Sequence, residues 1–159
     1  MKLRTLTALV LATLVSIPTA TVLAQGETIL PATDPAIETM TNEELVAARK
    51  AAMKEDGGLL RNAANLSGAD AVAAAETLVK NFTNFPHLFR EGSIVGDSDA
   101  LPALWEKWDI ATGLFAQARM ASEAALVAAQ ANDTAGFLAA LQPIGPICGQ
   151  CHQQFRKPE

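Results

Sequence analysis

Both cysteines of the chain fall in one pentapeptide, Cys148-Gly149-Gln150-Cys151-His152. A C-x-x-C-H run reads as the attachment signature of a c-type haem. Thiolates at the two cysteines add to the two vinyl groups of one porphyrin. The two residues between them, on a helical turn, space the sulfurs to suit, and the adjacent histidine offers an axial nitrogen to the iron. Other chemistries use the same residues. Structural zinc takes four ligands; beyond the cysteines the chain has only His87 and His152 as histidines, and His152 adjoins Cys151 too closely for an unstrained tetrahedron. A thioredoxin-like redox pair needs a βαβ setting. A plain Cys148–Cys151 disulfide stays open as a competitor.

Two further residues have types and positions that suit such a site. Arg49 lies on an apolar helical stripe between Leu45 and Met53, where a charge is costly unless it is paired. Its side chain either snorkels to water or meets an anion such as a haem propionate. Met53, one turn on, is core filler or a thioether ligand to iron. Met40 and Met120 are poorer candidates, one ahead of the helices and one off the apolar stripe of its own helix. Trp105 and Trp108 suit core packing or contact with a porphyrin face. His87, in Phe85-Pro86-His87-Leu88-Phe89, reads as a partly exposed loop histidine.

Helices must position these groups. Thr41-Asn42-Glu43-Glu44 fits a capping box, and apolar spacings of three and four then run to Leu66, with Gly57-Gly58 allowing a bend. A second helix from about Ala69 carries Ala71, Ala75, Leu78, Phe82 and Phe85 inward, and Pro86 is expected to stop it. Residues 87–101 read as the longest loop. Leu101-Pro102 opens a third helix with Leu104, Trp108, Ala111, Phe115 and Ala118 inward, reaching about Gln130. After a turn at Asn132-Asp133-Thr134, the fourth helix presents Phe137, Leu141, Ile144, Cys148, Cys151 and Phe155 in steps of four and three, which sets both cysteines on the inward seam. Pro143 and Pro146 should kink that helix or delay its start. No strand pattern competes, so the expected fold is all-α, an antiparallel four-helix bundle with covalently bound haem c.

The first residues belong to export. Lys2 and Arg4 precede an apolar run from Leu6 to Ile17, and Val22-Leu23-Ala24 ends in a small residue, so residues 1–24 read as a signal peptide cleaved after Ala24. A run of about a dozen apolar residues is too short for a bilayer that needs roughly 20, and no membrane span is expected after processing. Residues 25–40 read as a flexible lead-in, although Asp34-Pro35 suits an early helix start, and residues 41–159 as one domain. Losing Lys2 and Arg4 takes the net charge from −5 to −7. That excludes a nucleic-acid partner, which needs a basic footprint, and favours protein partners with basic patches.

From Glu43 to Lys157 the chain resembles the class II cytochromes c, the group of cytochrome c prime and its low-spin, methionine-ligated relatives. The resemblance rests on Cys148-x-x-Cys151-His152-x-x-Phe155-Arg156, on Arg49-x-x-x-Met53, on Phe85-Pro86 to Phe89, and on Pro102-x-x-Trp105. It implies one covalent haem c near one end of the bundle, with His152 as the proximal axial ligand. Arg156 would lie on that proximal side, Arg49 would meet a propionate, and Trp105 would pack on the haem. Met53 takes the distal position, where the family divides between a blocking residue and a sixth ligand. Met53-Lys54-Glu55-Asp56-Gly57 and Gln142-Pro143-Ile144-Gly145 look more like the low-spin branch, whereas Pro146 departs from both.

The expected function is a periplasmic monohaem electron carrier, not an enzyme, that exchanges single electrons with redox partner proteins. The alternative is a five-coordinate cytochrome that binds or buffers nitric oxide or carbon monoxide. A haem-free bundle closed by a local disulfide is the third reading. The resemblance also allows a homodimer through the first two helices.

Overall fold

A computed structural model describes residues 33–158. The signal segment and its cleavage point after Ala24 lie outside the described residues. The described chain is helical: α1 (Asn42–Asn62), α2 (Gly68–Leu88), a short α3 (Ala103–Glu106), α4 (Trp108–Gln130), α5 (Thr134–Leu141) and α6 (Ile144–Phe155). With α3 and α4 counted as one rod and α5 and α6 as another, this is the expected four-helix bundle. Among the described residues there is no strand, only an isolated antiparallel bridge between Ala100 and Arg156. No helix there is long and apolar enough to cross a membrane.

The start of α1 follows the expected capping box. Thr41 Oγ1 accepts from the Glu44 amide at 3.2 Å, and Glu44 Oε2 accepts from the Thr41 amide at 2.7 Å. The helix runs unbroken through Gly57-Gly58, where a bend was allowed for. Packing starts ahead of the cap, contrary to a lead-in that is flexible to residue 40. Pro35–Thr39 form a 3-10 turn with Ile37 buried. Asp34 N donates to Asn84 Oδ1, and Arg90 Nη2 donates to the Ile37 carbonyl at 2.9 Å.

Of the prolines in the helices, Pro86 departs from expectation. Pro86 does not stop α2, which continues to Leu88. In the last turn the ring removes only one donor, while burial of Leu88 and Phe89 holds that turn in place. Pro143 and Pro146 delay the start of the last helix, one of the two outcomes expected of them, and so divide the fourth rod. Pro143 is the N-cap of α6 and Pro146 sits in its first turn, where an amide has no intrahelical partner in any case. The third rod is interrupted too: Lys107, at φ −123° and ψ 45°, separates α3 from α4.

α2 lies mainly against α4, and α4 in turn against α5 and α6. Phe82, Phe85, Phe89 and Phe115 form an aromatic chain there, with ring centroids 5.5–5.6 Å apart. α1 packs on α2 but barely meets α6, so the bundle is closed on one side and wedge-shaped on the other. Residues 89–102 bridge the mouth of the wedge. They are strapped to the end of α6 by Leu101 N to Phe155 O and Lys157 N to Asp99 O, both 2.8 Å.

Candidate functional site

The wedge between α1 and α6 is a cleft. Its larger part, about 350 Å³, has Met53, Asp56 and Leu60 on the α1 side, Phe82, Phe85 and Phe115 as an aromatic floor, and Cys148, Cys151 and His152 on the α6 side. A smaller hollow beside it is lined by Arg49, Met53, Phe89, Cys151, His152 and Arg156 among others. Met53, Cys151 and His152 line both parts, so these three stand at the partition.

The seam read from the fourth helix holds. Phe137, Leu141, Ile144, Cys151 and Phe155 are buried, and Cys148 is half-buried at the cleft wall. Both thiols are free, so the disulfide reading finds no bond here. Burial pushes the Cys151 thiol up to about 11, with Cys148 adding to the rise. Cys148 is also raised, by burial first and then by the charge of Asp56. Both are protonated at neutral pH. Among the described residues no cluster of three or more His, Cys, Asp or Glu side chains suits a metal ion, which leaves the zinc reading without a site. His152 is exposed although it lines both hollows, and Arg156 lines the smaller hollow near Asp99, at 3.9 Å.

Arg49 does not snorkel. It is 3 % exposed. Nη1 donates to the Leu88 carbonyl (3.1 Å) and Ser93 Oγ (2.8 Å), Nη2 to the Ser93 carbonyl and Ser98 Oγ (both 2.7 Å). The guanidinium also lies 4.6 Å from the centroid of the Phe89 ring, a cation–π distance. Burial lowers its pKa. Among the described residues no carboxylate pairs with it, so a buried cation stands at the cleft with only neutral partners.

Trp105 is placed elsewhere. Its indole Nε1 donates to the Phe89 carbonyl at 2.8 Å, which ties α3 to the loop, and it lines neither hollow. The aromatic rings that line the larger hollow are those of Phe82, Phe85 and Phe115, on the core stripes of α2 and α4. His87 lies in the last turn of α2, not in a loop. It is exposed and bonded to Thr33 Oγ1 at 3.0 Å, away from the cleft. Met120 is 62 % exposed on the far side of α4.

The residue that pattern reasoning passed over is Asp56. It is 4 % exposed and lines the cleft. Oδ1 accepts from Asn81 Nδ2 at 2.7 Å, while the buried Oδ2 has no partner. Its carboxyl is pushed up to about 7, chiefly by burial; the Asn81 hydrogen bond opposes the rise and neighbouring Glu55 adds to it. The signal that singled out Arg49, a charged residue on the apolar stripe of the first helix, applies equally to Asp56.

An apolar slot suits a flat macrocycle. Two thiols on one wall, a histidine beside them, a thioether at the partition and an uncompensated cation at one end fit a covalently held haem with its acidic side chains.

Known proteins give an independent comparison. The profile of the family described as Cytochrome C' matches residues 41–156. A cytochrome c-556 from Agrobacterium tumefaciens (strain II Chrys) is 37 % identical over 118 residues, covering 70 % of this chain and 95 % of the relative. A cytochrome c' from Pararhodospirillum photometricum is 30 % identical over 122 residues, covering 72 % and 98 %. Among solved structures, cytochrome c' from Thermochromatium tepidum superposes with a TM-score of 0.66 at 21 % identity, over 75 % of this chain and 98 % of that one.

Proposed function

The chain belongs to the cytochrome c' family and binds one haem c covalently, and we propose that within this family it is an exported, periplasmic carrier of single electrons with His152 and Met53 as axial ligands. Bound haem c supplies a one-electron Fe(III)/Fe(II) couple whose potential depends on axial ligands and burial. The remaining work belongs to the polypeptide.

Cys148 and Cys151 would hold the group on α6, and His152, next in sequence, would be held with them. Met53 comes from α1. The observation that carries the reading is that Met53, Cys151 and His152 together line both parts of the cleft, which sets the thioether and the imidazole at the same partition. Side chains held from two separate rods would keep their places in both oxidation states, so that little need rearrange when an electron moves. Arg49 offers its guanidinium to a propionate. Four hydrogen bonds already orient that guanidinium, so the pairing needs little ordering of the side chain. Arg156 flanks the proximal side. The net charge of −7 after export favours a partner with a basic face.

The competing reading is a five-coordinate site that takes nitric oxide or carbon monoxide under a non-ligating Met53. Optical spectra of the purified exported protein separate them. The reduced protein should show sharp, split bands that carbon monoxide leaves unchanged, and Met53→Ala should open the site to carbon monoxide. Broad bands that shift with carbon monoxide in the unaltered protein would refute the proposal.

A further inference from the structure

Electron transfer as described makes no use of Asp56, yet no other carboxyl in the cleft wall is placed as it is. It is nine-tenths buried, lies one turn beyond Met53 on α1, faces the attachment wall, and leaves Oδ2 without a partner. A carboxylate so placed loses its hydration without replacement, which favours the neutral form. The groups around it are few. On α1 they are Glu55 and Arg61, the latter lining the same cleft. On α2 Asn81 holds Oδ1 and also donates to Glu55 Oε2 at 3.0 Å. α6 brings Cys148 and His152, while α4 contributes only Leu114, Phe115 and Ala118 to this cavity. None of them bonds Oδ2.

We propose that Asp56 is a redox-linked proton site: as an electron enters the cleft, Asp56 takes up a proton, and on reoxidation it gives the proton back. The proposal rests on the electron-carrier reading above. The electron comes from a one-electron donor, a partner protein in the periplasm or a chemical reductant in the cuvette. The proton comes from water and forms the O–H bond on Oδ2; oxidation breaks that bond and returns the proton to solvent. Each electron removes one positive charge close to a carboxyl in a low-dielectric wall, where charges act on each other strongly. The ionised form is therefore favoured in the oxidised protein and the neutral form in the reduced one. Burial already raises this carboxyl well above the usual carboxylate range, which brings the exchange towards neutral pH.

The test is potentiometry of the haem-loaded protein from about pH 5 to about pH 9, with protons taken up on reduction counted in weak buffer. The potential should fall as pH rises through a window around neutrality. The limiting slope is about 59 mV per pH unit, the tenfold change in proton activity converted for a one-electron couple. Asp56→Asn keeps the size and the Asn81 contact and should flatten the slope and abolish proton uptake. Asn81→Ala removes the hydrogen bond that favours the ionised carboxyl and should move the window to higher pH. A pH-independent potential in the unaltered protein, or a slope that survives in Asp56→Asn, overturns the proposal. Spectra under carbon monoxide from the same samples keep the two readings apart. A shifted spectrum refutes the Met53 ligation, whereas an unshifted spectrum with a flat potential refutes the role of Asp56 alone.

Discussion

The α2–α4 seam and the α1–α6 wedge are built from the same kind of amphipathic helix and end up unlike. In the seam the inward side chains fill one another's space: Ala75, Leu78, Ala111 and Ala118 are buried, and Ser122 satisfies its hydroxyl on the Ala118 carbonyl at 2.8 Å. Small alanines let α2 and α4 approach closely, and phenylalanines fill what remains. In the wedge the inward positions of α1 are Arg49, Met53 and Asp56, and those of α6 are two cysteines. These side chains do not fill one another's space. The seam is where the protein packs against itself, and the wedge is where it is shaped for something else. A charged residue buried in such a wedge therefore has a functional reading that the same residue in the seam would lack.

The sharpest way to break this contrast is to remove the attachment. Replacing Cys148 and Cys151 together by serine should abolish covalent haem, read as total loss of haem that survives denaturation and acid extraction, while circular dichroism still shows a predominantly helical protein. Retention of covalent haem would refute the site.

The second difference is in pH dependence. Asp56 titrates near 3.9 in an unfolded chain and at about 7 in the folded one. Between those values the folded protein binds more protons at this carboxyl, so the contribution of Asp56 is most favourable below about pH 4 and is lost as pH rises towards 7, by as much as about 4 kcal/mol. Urea unfolding of Asp56→Asn against the unaltered protein across this range should show the slope disappear. Leu78→Ala, in the seam, should instead lower stability by about 3 kcal/mol at every pH and leave the optical spectrum as it was. A seam substitution that altered the spectrum would show that the two regions are not separable.

How far the sequence carries the fold follows from the same contrast. Periodicity located the four rods and the inward seam of the last one, because apolar spacing depends only on helical geometry. The capping box at Thr41 was legible because it is local. The effect of the prolines was not: whether Pro86, Pro143 or Pro146 breaks a helix depends on which amide it removes, and that is fixed by where the turn begins. Ile37 was missed because a single apolar residue in a polar stretch has no period; its burial comes from α2 and Arg90, far along the chain. At the site, Cys148, Cys151 and His152 could be found from spacing alone. Arg49 announced itself as a charge on an apolar stripe, but not that Ser93 and Ser98 from the long loop would bond it. Trp105, expected in the core or on the porphyrin face, packs partly buried against the core, and its indole ties α3 to Phe89. Asp56 carried the same stripe signal as Arg49, and only its orphaned Oδ2 shows why that mattered.

The central claim is that the Met53 sulfur stands on the iron opposite His152. Proton nuclear magnetic resonance of the reduced protein reads it directly, since a methyl group held over a porphyrin face lies in its ring current. The account predicts one methionine methyl signal displaced far upfield of the ordinary methyl range, present in the unaltered protein and lost in Met53→Leu. Absence of such a signal in the reduced protein, or its persistence in Met53→Leu, would contradict it.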